Sequence, residues 1–146
     1  MVWIFDKLVK EGKKLTVTNP EMTRFFMSIN NATELVWEAL KEGQHGDLFV
    51  YKNKACTIKE LADIFSDNQE VIGNRCEEKT DEALLTINEL NHSIEYDNFI
   101  KVNKEIKNNY NFDRPITSDN AERLTKQELQ EMLNDWRNNN ENGCFK

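Results

Sequence analysis

Apolar residues in this chain fall into short blocks parted by polar turns, and the spacing inside each block predicts an element. Val2, Ile4, Phe5, Leu8 and Val9 form a helical stripe over Val2–Lys10, closed by Gly12. Leu15–Thr18 reads as a strand, Asn19-Pro20 as a turn, and Thr23–Met27 as a second extended run. Ala32, Leu35, Val36, Ala39 and Leu40 recur at helical spacing, predicting a single apolar face on a helix capped by Asn30 or Asn31 and ended by Gly43. Leu48–Tyr51 is apolar on both faces, the pattern of a strand buried inside a parallel sheet.

The second half is punctuated by capping boxes. Thr57 with Glu60, Thr86 with Glu89, and Thr125 with Glu128 each predict a helix start. The first helix runs through Leu61, Ile64 and Phe65, and the last points Leu129, Met132, Leu133 and Trp136 inward. Val71-Ile72 and Phe99–Val102 read as short strands, Asp81–Leu85 as a helix, and Asn103–Asn120 as loop. Strands alternating with helices predict an α/β fold, organised as one domain over 1–137 with a polar, frayed tail over 138–146. So few short strands would leave sheet edges and an apolar face uncovered.

Composition narrows the function classes. A net charge of −7 argues against nucleic-acid binding, which needs basic clusters. Cys56, Cys76 and Cys144 are odd in number and form no Cys-x-x-Cys pair, so free thiols are expected rather than a disulfide framework or a metal site. Trp3–Val9 is too short and too interrupted for a signal peptide, and no apolar run approaches the ~20 residues that span a bilayer. The expectation is a soluble, cytoplasmic protein without membrane partners.

Few residues announce chemistry. The pairs Glu77-Glu78 and Asp81-Glu82 read as solvated charge, His45 and His92 as ordinary histidines, and Trp3, Trp37 and Trp136 as core. No Gly-x-Gly-x-x-Gly, Walker loop or zinc spacing is present, and five glycines encode no pyrophosphate cradle. Arg24 and Arg75 each follow an extended run, where a guanidinium can meet a phosphate through paired hydrogen bonds. Glu78 stands three residues after Arg75 and could hold a ribose diol. A surface ion-pair cluster of Arg75, Glu77, Glu78 and Lys79 is the plainer reading, and spacing alone does not decide between them.

An ordered series of blocks goes further. Leu15-Thr16-Val17-Thr18, Met22-Thr23-Arg24-Phe25, Gly46-Asp47-Leu48-Phe49-Val50, Thr57-Ile58, Val71-Ile72-Gly73, Arg75, Glu78-Lys79, Leu84-Leu85-Thr86 and Asn120–Leu124 follow one another along most of the chain. The series resembles the C-terminal part of the UDP-N-acetylglucosamine 4,6-dehydratases and related 4-epimerases. These are extended short-chain dehydrogenase/reductases of capsule and surface-polysaccharide synthesis. The resemblance implies the substrate-binding portion of such an enzyme. Arg24 and Arg75 would reach the diphosphate of a UDP-sugar, and Glu78 would hold the ribose. It implies NAD(P) for the whole enzyme but no cofactor bound by this chain alone. The glycine-rich loop and the Tyr-x-x-x-Lys of the catalytic half are missing, so no catalytic residue is expected here.

The implied partners are a UDP-sugar together with a separate Rossmann-domain catalytic chain or a second copy of this one. The alternative is a non-catalytic interaction module, or a remnant, that keeps the fold without the ligand site. Departures sharpen that alternative. Cys76-Glu77 replaces the His-Gly usual in the family, Thr80-Asp81 replaces an apolar-aromatic pair, and 91–115 matches poorly. A carboxylate beside a diphosphate site weakens anion binding.

Overall fold

The computed structural model describes residues 1–74, 77–107 and 112–141, of which 140 and 141 are described in backbone only. The elements are α1 (Val2–Lys10), β1 (Leu15–Val17), β2 (Thr23–Phe26), α2 (Ile29–Glu42), β3 (Leu48–Tyr51), β4 (Lys54–Thr57), α3 (Ile58–Phe65), β5 (Gln69–Val71), β6 (Ala83–Leu85), α4 (Ile87–Leu90), β7 (Ser93–Glu95), β8 (Phe99–Val102), β9 (Ile116–Thr117) and α5 (Lys126–Glu141). The fold is mixed α/β with short strands. Strand β2 pairs with β4. The chain divides into two compact units. One is built from Met1–Arg24, Cys56–Thr80 and the segment from Arg123, the other from Phe25–Ala55 and Asp81–Glu122.

In the first unit β1 and β5 run parallel, with Leu15 opposite Gln69 and Val17 opposite Val71. Helix α3 is the hub, packed against α1, α5 and β1. Its Thr57–Glu60 capping box forms in both directions, so its first turn has no orphan amide there. Leu61 and Ala62 are fully buried beside Leu15, Val17, Met22, Leu129 and Leu133. Phe5 meets Phe65 edge to face at 5.8 Å, a favoured aromatic geometry. Gly12 takes φ +66 just past α1, the left-handed turn that ends a helix and that glycine enters without penalty.

The second unit is built on an antiparallel sheet in the order β3-β8-β7. Leu48 lies opposite Val102, and Tyr51 opposite Phe99. Leu85, Leu90, Ile100 and Val102 form its core, with Val50, Phe112 and Ile116 packed against them. Strand β6 pairs with β9 through an irregular register. Helix α2 packs on β3.

Several sequence expectations change here. Leu48–Tyr51 is not buried inside a parallel sheet: β3 sits at the edge of an antiparallel sheet, and Leu48 is exposed. Helix α2 is capped by Ser28 rather than by Asn30 or Asn31, so it starts slightly earlier than expected, because the Ser28 hydroxyl accepts from the Asn31 amide. Its single apolar face divides: Ala32, Leu35 and Ala39 are half-buried, while Val36 and Leu40 are exposed. Trp3 and Trp37 are surface residues at 63% and 59% exposure, not core, and Trp136 is half-buried. Asp81–Leu85 holds a strand rather than a helix, since Ala83 and Leu85 pair across to β9. Strands β4, β7 and β9 carried no expectation, and β9 interrupts the predicted 103–120 loop. Helix α5 continues through Asn138 to Glu141, into the stretch expected to fray.

Candidate functional site

The candidate residues lie in the first unit, around the turn that follows β5. The Ile72 amide donates to the Val17 carbonyl at 2.9 Å, which extends the β1–β5 pairing by one bond. Gly73 then takes φ +86 with nothing within 4 Å of where a Cβ would sit, so a side chain there would be strained rather than crowded. Arg75 and Cys76 lie outside the described residues. Glu77, Glu78, Lys79 and Thr80 follow, all exposed.

Glu78 reaches back to the residue after β1: the Thr18 hydroxyl donates to its Oε1 at 3.4 Å, and also faces the Met22 sulfur at 3.9 Å. Arg24 lies in β2 beside the same segment. Its Nη1 donates to the Thr23 carbonyl at 2.7 Å and to the Thr80 carbonyl at 3.0 Å. Its Nη2 donates to the Lys79 carbonyl at 2.9 Å and faces the Met22 sulfur at 3.6 Å. The Thr23 amide adds a second bond to the Thr80 carbonyl at 3.0 Å. The structure therefore brings Arg24 and Glu78 to one segment, with the arginine turned to backbone carbonyls. Thr18 and the three carbonyls carry no sequence signal: a backbone acceptor has no residue signature, and a threonine after a strand is too common to single out.

The remaining chemistry is quiet. Burial pushes the Cys56 thiol up to about 12, with the Glu60 carboxylate adding to the shift, so this thiol stays protonated. His92 Nδ1 lies 2.7 Å from the Ile106 carbonyl, which accounts for its position without a ligand. Among the described residues no group of His, Cys, Asp and Glu could hold a metal ion, and no helix is long and apolar enough to cross a membrane. The second unit has a cavity of about 490 Å³, with Glu34, Glu38, Glu95 and Asp97 around Tyr51 and Phe99. Its carboxylates disfavour a diphosphate there.

Among the described residues the positive-φ glycines are Gly12 just after α1, Gly46 before β3 and Gly73 after β5.

Comparison with known proteins places the chain. Residues 1–104 match the model of a family described as polysaccharide biosynthesis protein. The chain belongs to this family. It is 36% identical over 148 aligned positions to a UDP-glucose 4-epimerase of Rickettsia rickettsii (strain Sheila Smith), covering 89% of this chain and 43% of that protein. A UDP-glucose 4-epimerase of Rickettsia typhi (strain ATCC VR-144 / Wilmington) is 34% identical with the same coverage. The X-ray structure of Pen from Bacillus thuringiensis superposes with a TM-score of 0.79 at 26% identity, covering 94% of this chain and 44% of that one. The chain thus spans less than half the length of these relatives. The family match covers Arg24 and Glu78 as well as the position of Arg75.

Proposed function

We propose that this chain is the UDP-sugar-binding part of a nucleotide-sugar epimerase or dehydratase of surface-polysaccharide synthesis, corresponding to the C-terminal part of such an enzyme. The observation that carries the reading is the family match across residues 73–80, combined with coverage of under half of each relative. On this reading Glu78 takes the ribose diol and Arg75 the diphosphate, with Arg24 serving the same site. The hydride and proton steps belong to the portion of the relatives that has no counterpart here. NAD(P) would be held there. The choice between UDP-N-acetylglucosamine and UDP-glucose is settled by testing both.

The test is a thermal melt of the purified chain with each UDP-sugar, beside an Arg75→Ala variant. At 100 times its dissociation constant a ligand specific for the folded state adds roughly 2.7 kcal/mol, a shift that a melt resolves. The expected result is a rise that the variant loses. A cooperative melt with no rise for either sugar refutes the site, and NAD(P)-dependent turnover by the chain alone refutes its catalytic incompleteness.

A second reading, an interaction module that keeps the fold without the ligand site, is favoured by helix α2. Ile29, Val36, Trp37 and Leu40 are all more than half exposed on a helix with no fully buried residue. Beside it, β3 pairs among the described residues with β8 alone and exposes Leu48. A helix that is apolar on two sides belongs between two layers. Both readings therefore call for a covering partner: a Rossmann-domain chain or a second copy. A clean monomer on sedimentation that binds no apolar dye would count against that partner.

A further inference from the structure

We infer that the second unit pairs with a second copy of itself, through one surface made of the open edge of β3 and an apolar flank of α2. The inference rests on the need for a covering partner argued above and commits that partner to a copy of this chain. It involves none of the UDP-sugar residues, which belong to the first unit.

The edge comes first. Strand β3 has β8 on one side and no strand on the other among the described residues. The Lys52 amide donates to the Asn98 carbonyl at 2.9 Å, which sets the alternation of the antiparallel ladder. Leu48, Val50 and Lys52 turn their backbone groups to β8, so the Phe49 amide and carbonyl and the Tyr51 amide face the open side. Natural edges are guarded by a charge, a proline or a bulge. Leu48-Phe49-Val50-Tyr51 has no charge and no proline, and its register with β8 runs unbroken. At the other edge of the sheet β7 is shorter and carries Glu95. Strand β3 is therefore the edge built to accept another strand.

Helix α2 extends the same surface. Glu34 and Glu38 share a cavity with Glu95, Asp97 and Phe99, so that flank of the helix faces the β7–β8 side. Two residues along a helix is a turn of roughly 200°, which puts Val36 and Leu40 on the opposite flank from Glu38. Ile29, one helical repeat before Val36, joins them there. These exposed side chains project past the open edge of β3, on which α2 packs.

The surface complements itself. A twofold axis normal to the sheet sets two β3 strands antiparallel, the sense in which β3 already pairs. Only Leu, Phe, Val and Tyr then meet across the new ladder, in any register. Both α2 helices fall on one face, about two strand spacings or ~9.6 Å apart, within the ~8–10 Å at which helices pack. The flank of Ile29, Val36 and Leu40 carries no charge in a chain of net charge −7, so two copies meet there without like-charge repulsion.

The test is sedimentation of the purified chain from roughly 1 µM to 1 mM, with amide hydrogen exchange over the same range. A reversible dimer is expected. Exchange at the Phe49 amide should slow as concentration rises, while the Val50 amide, turned to β8, is protected throughout. Leu40→Lys and Leu48→Lys place a charge on exposed positions and should each weaken the dimer about tenfold or more. Ile94→Lys, on the exposed β7 edge, should leave it unchanged. A dimer in which Phe49 exchange is independent of concentration, or which Ile94→Lys weakens as much as Leu48→Lys, overturns the inference. So does a monomer over the whole range. If that monomer binds an apolar dye, the covering partner is a different chain; if it binds none, the need for a covering partner falls as well.

Discussion

Asp6 offers a sharp test of how the first unit is held together. Its side chain is only 12% exposed, and it is met by Lys10 Nζ at 2.8 Å and by Arg137 Nε at 3.2 Å. Arg137 also lies over the Phe65 ring at 5.1 Å, so one guanidinium links α1, α3 and α5. Burial works to raise the Asp6 carboxyl, but the hydrogen bonds and charges of Lys10 and Arg137 outweigh it and hold the group below its ordinary value. Asp6→Asn keeps the shape and removes the charge. The Lys10 arm is largely solvated, with 66% of its side chain exposed, and is worth about 0.3–0.5 kcal/mol. The Arg137 arm, at 38% exposure, retains a neutral hydrogen bond in the variant and loses roughly 0.5–1 kcal/mol. The total is about 1 kcal/mol at pH 7, read as the difference in urea unfolding followed by circular dichroism. The sign follows from linkage. A carboxyl whose folded value lies below its unfolded value of about 3.9 stabilises above that pH, and the contribution disappears as pH falls through the folded value. The wild-type advantage should therefore hold from pH 7 to about 5 and shrink steadily toward pH 3. An advantage that is the same at pH 3 and pH 7 would refute the reasoning, because packing and not charge would then be its source.

Two further outcomes follow from the same unit. Leu61→Ala should cost about 3–4 kcal/mol in urea unfolding, since Leu61 is fully buried where α1, α5 and β1 meet α3; a loss under 1 kcal/mol would mean that the site collapses around the gap. With Cys76 and Cys144 replaced by serine, Cys56 should react with a disulfide reagent at pH 8 at least ~1,000-fold more slowly in the folded chain than in urea, because its thiolate is scarce and its sulfur buried; equal rates would refute the raised thiol pKa.

Local signals were the legible part of this fold. Capping boxes placed the starts of α3, α4 and α5 because each is a self-contained exchange of two hydrogen bonds within four residues. The stripe and Gly12 placed α1, and β-branching placed β1. What failed depended on neighbours far along the chain. Ala83–Leu85 carries helix-forming residues, yet β9 supplies a ladder partner more than thirty residues away, and tertiary pairing overrides local preference. Burial of Leu48–Tyr51 was read from its apolarity alone, whereas its sheet neighbour, β8, lies on one side only. The candidate residues divide in the same way. Glu78 stands out in the sequence by its place after Arg75, while the bonds of Arg24 go to carbonyls that any sequence would supply.

Helix α2 carries the sharpest version of this lesson. Ala32, Leu35, Val36, Ala39 and Leu40 fit one apolar face by spacing, and a face of that width is wide enough to serve two neighbours. In the structure Ala32, Leu35 and Ala39 turn toward their own unit, while Val36 and Leu40 join Ile29 and Trp37 on the exposed side. Periodicity reports which residues avoid water, but not how many layers remove it from them. If burial of an apolar side chain is worth about 1.5–3 kcal/mol, leaving these four half-exposed forgoes several kcal/mol that a covering layer would recover. The relatives are more than twice as long as this chain, so they have chain enough for such a layer. On the proposed reading, that exposed face is where such a layer would sit.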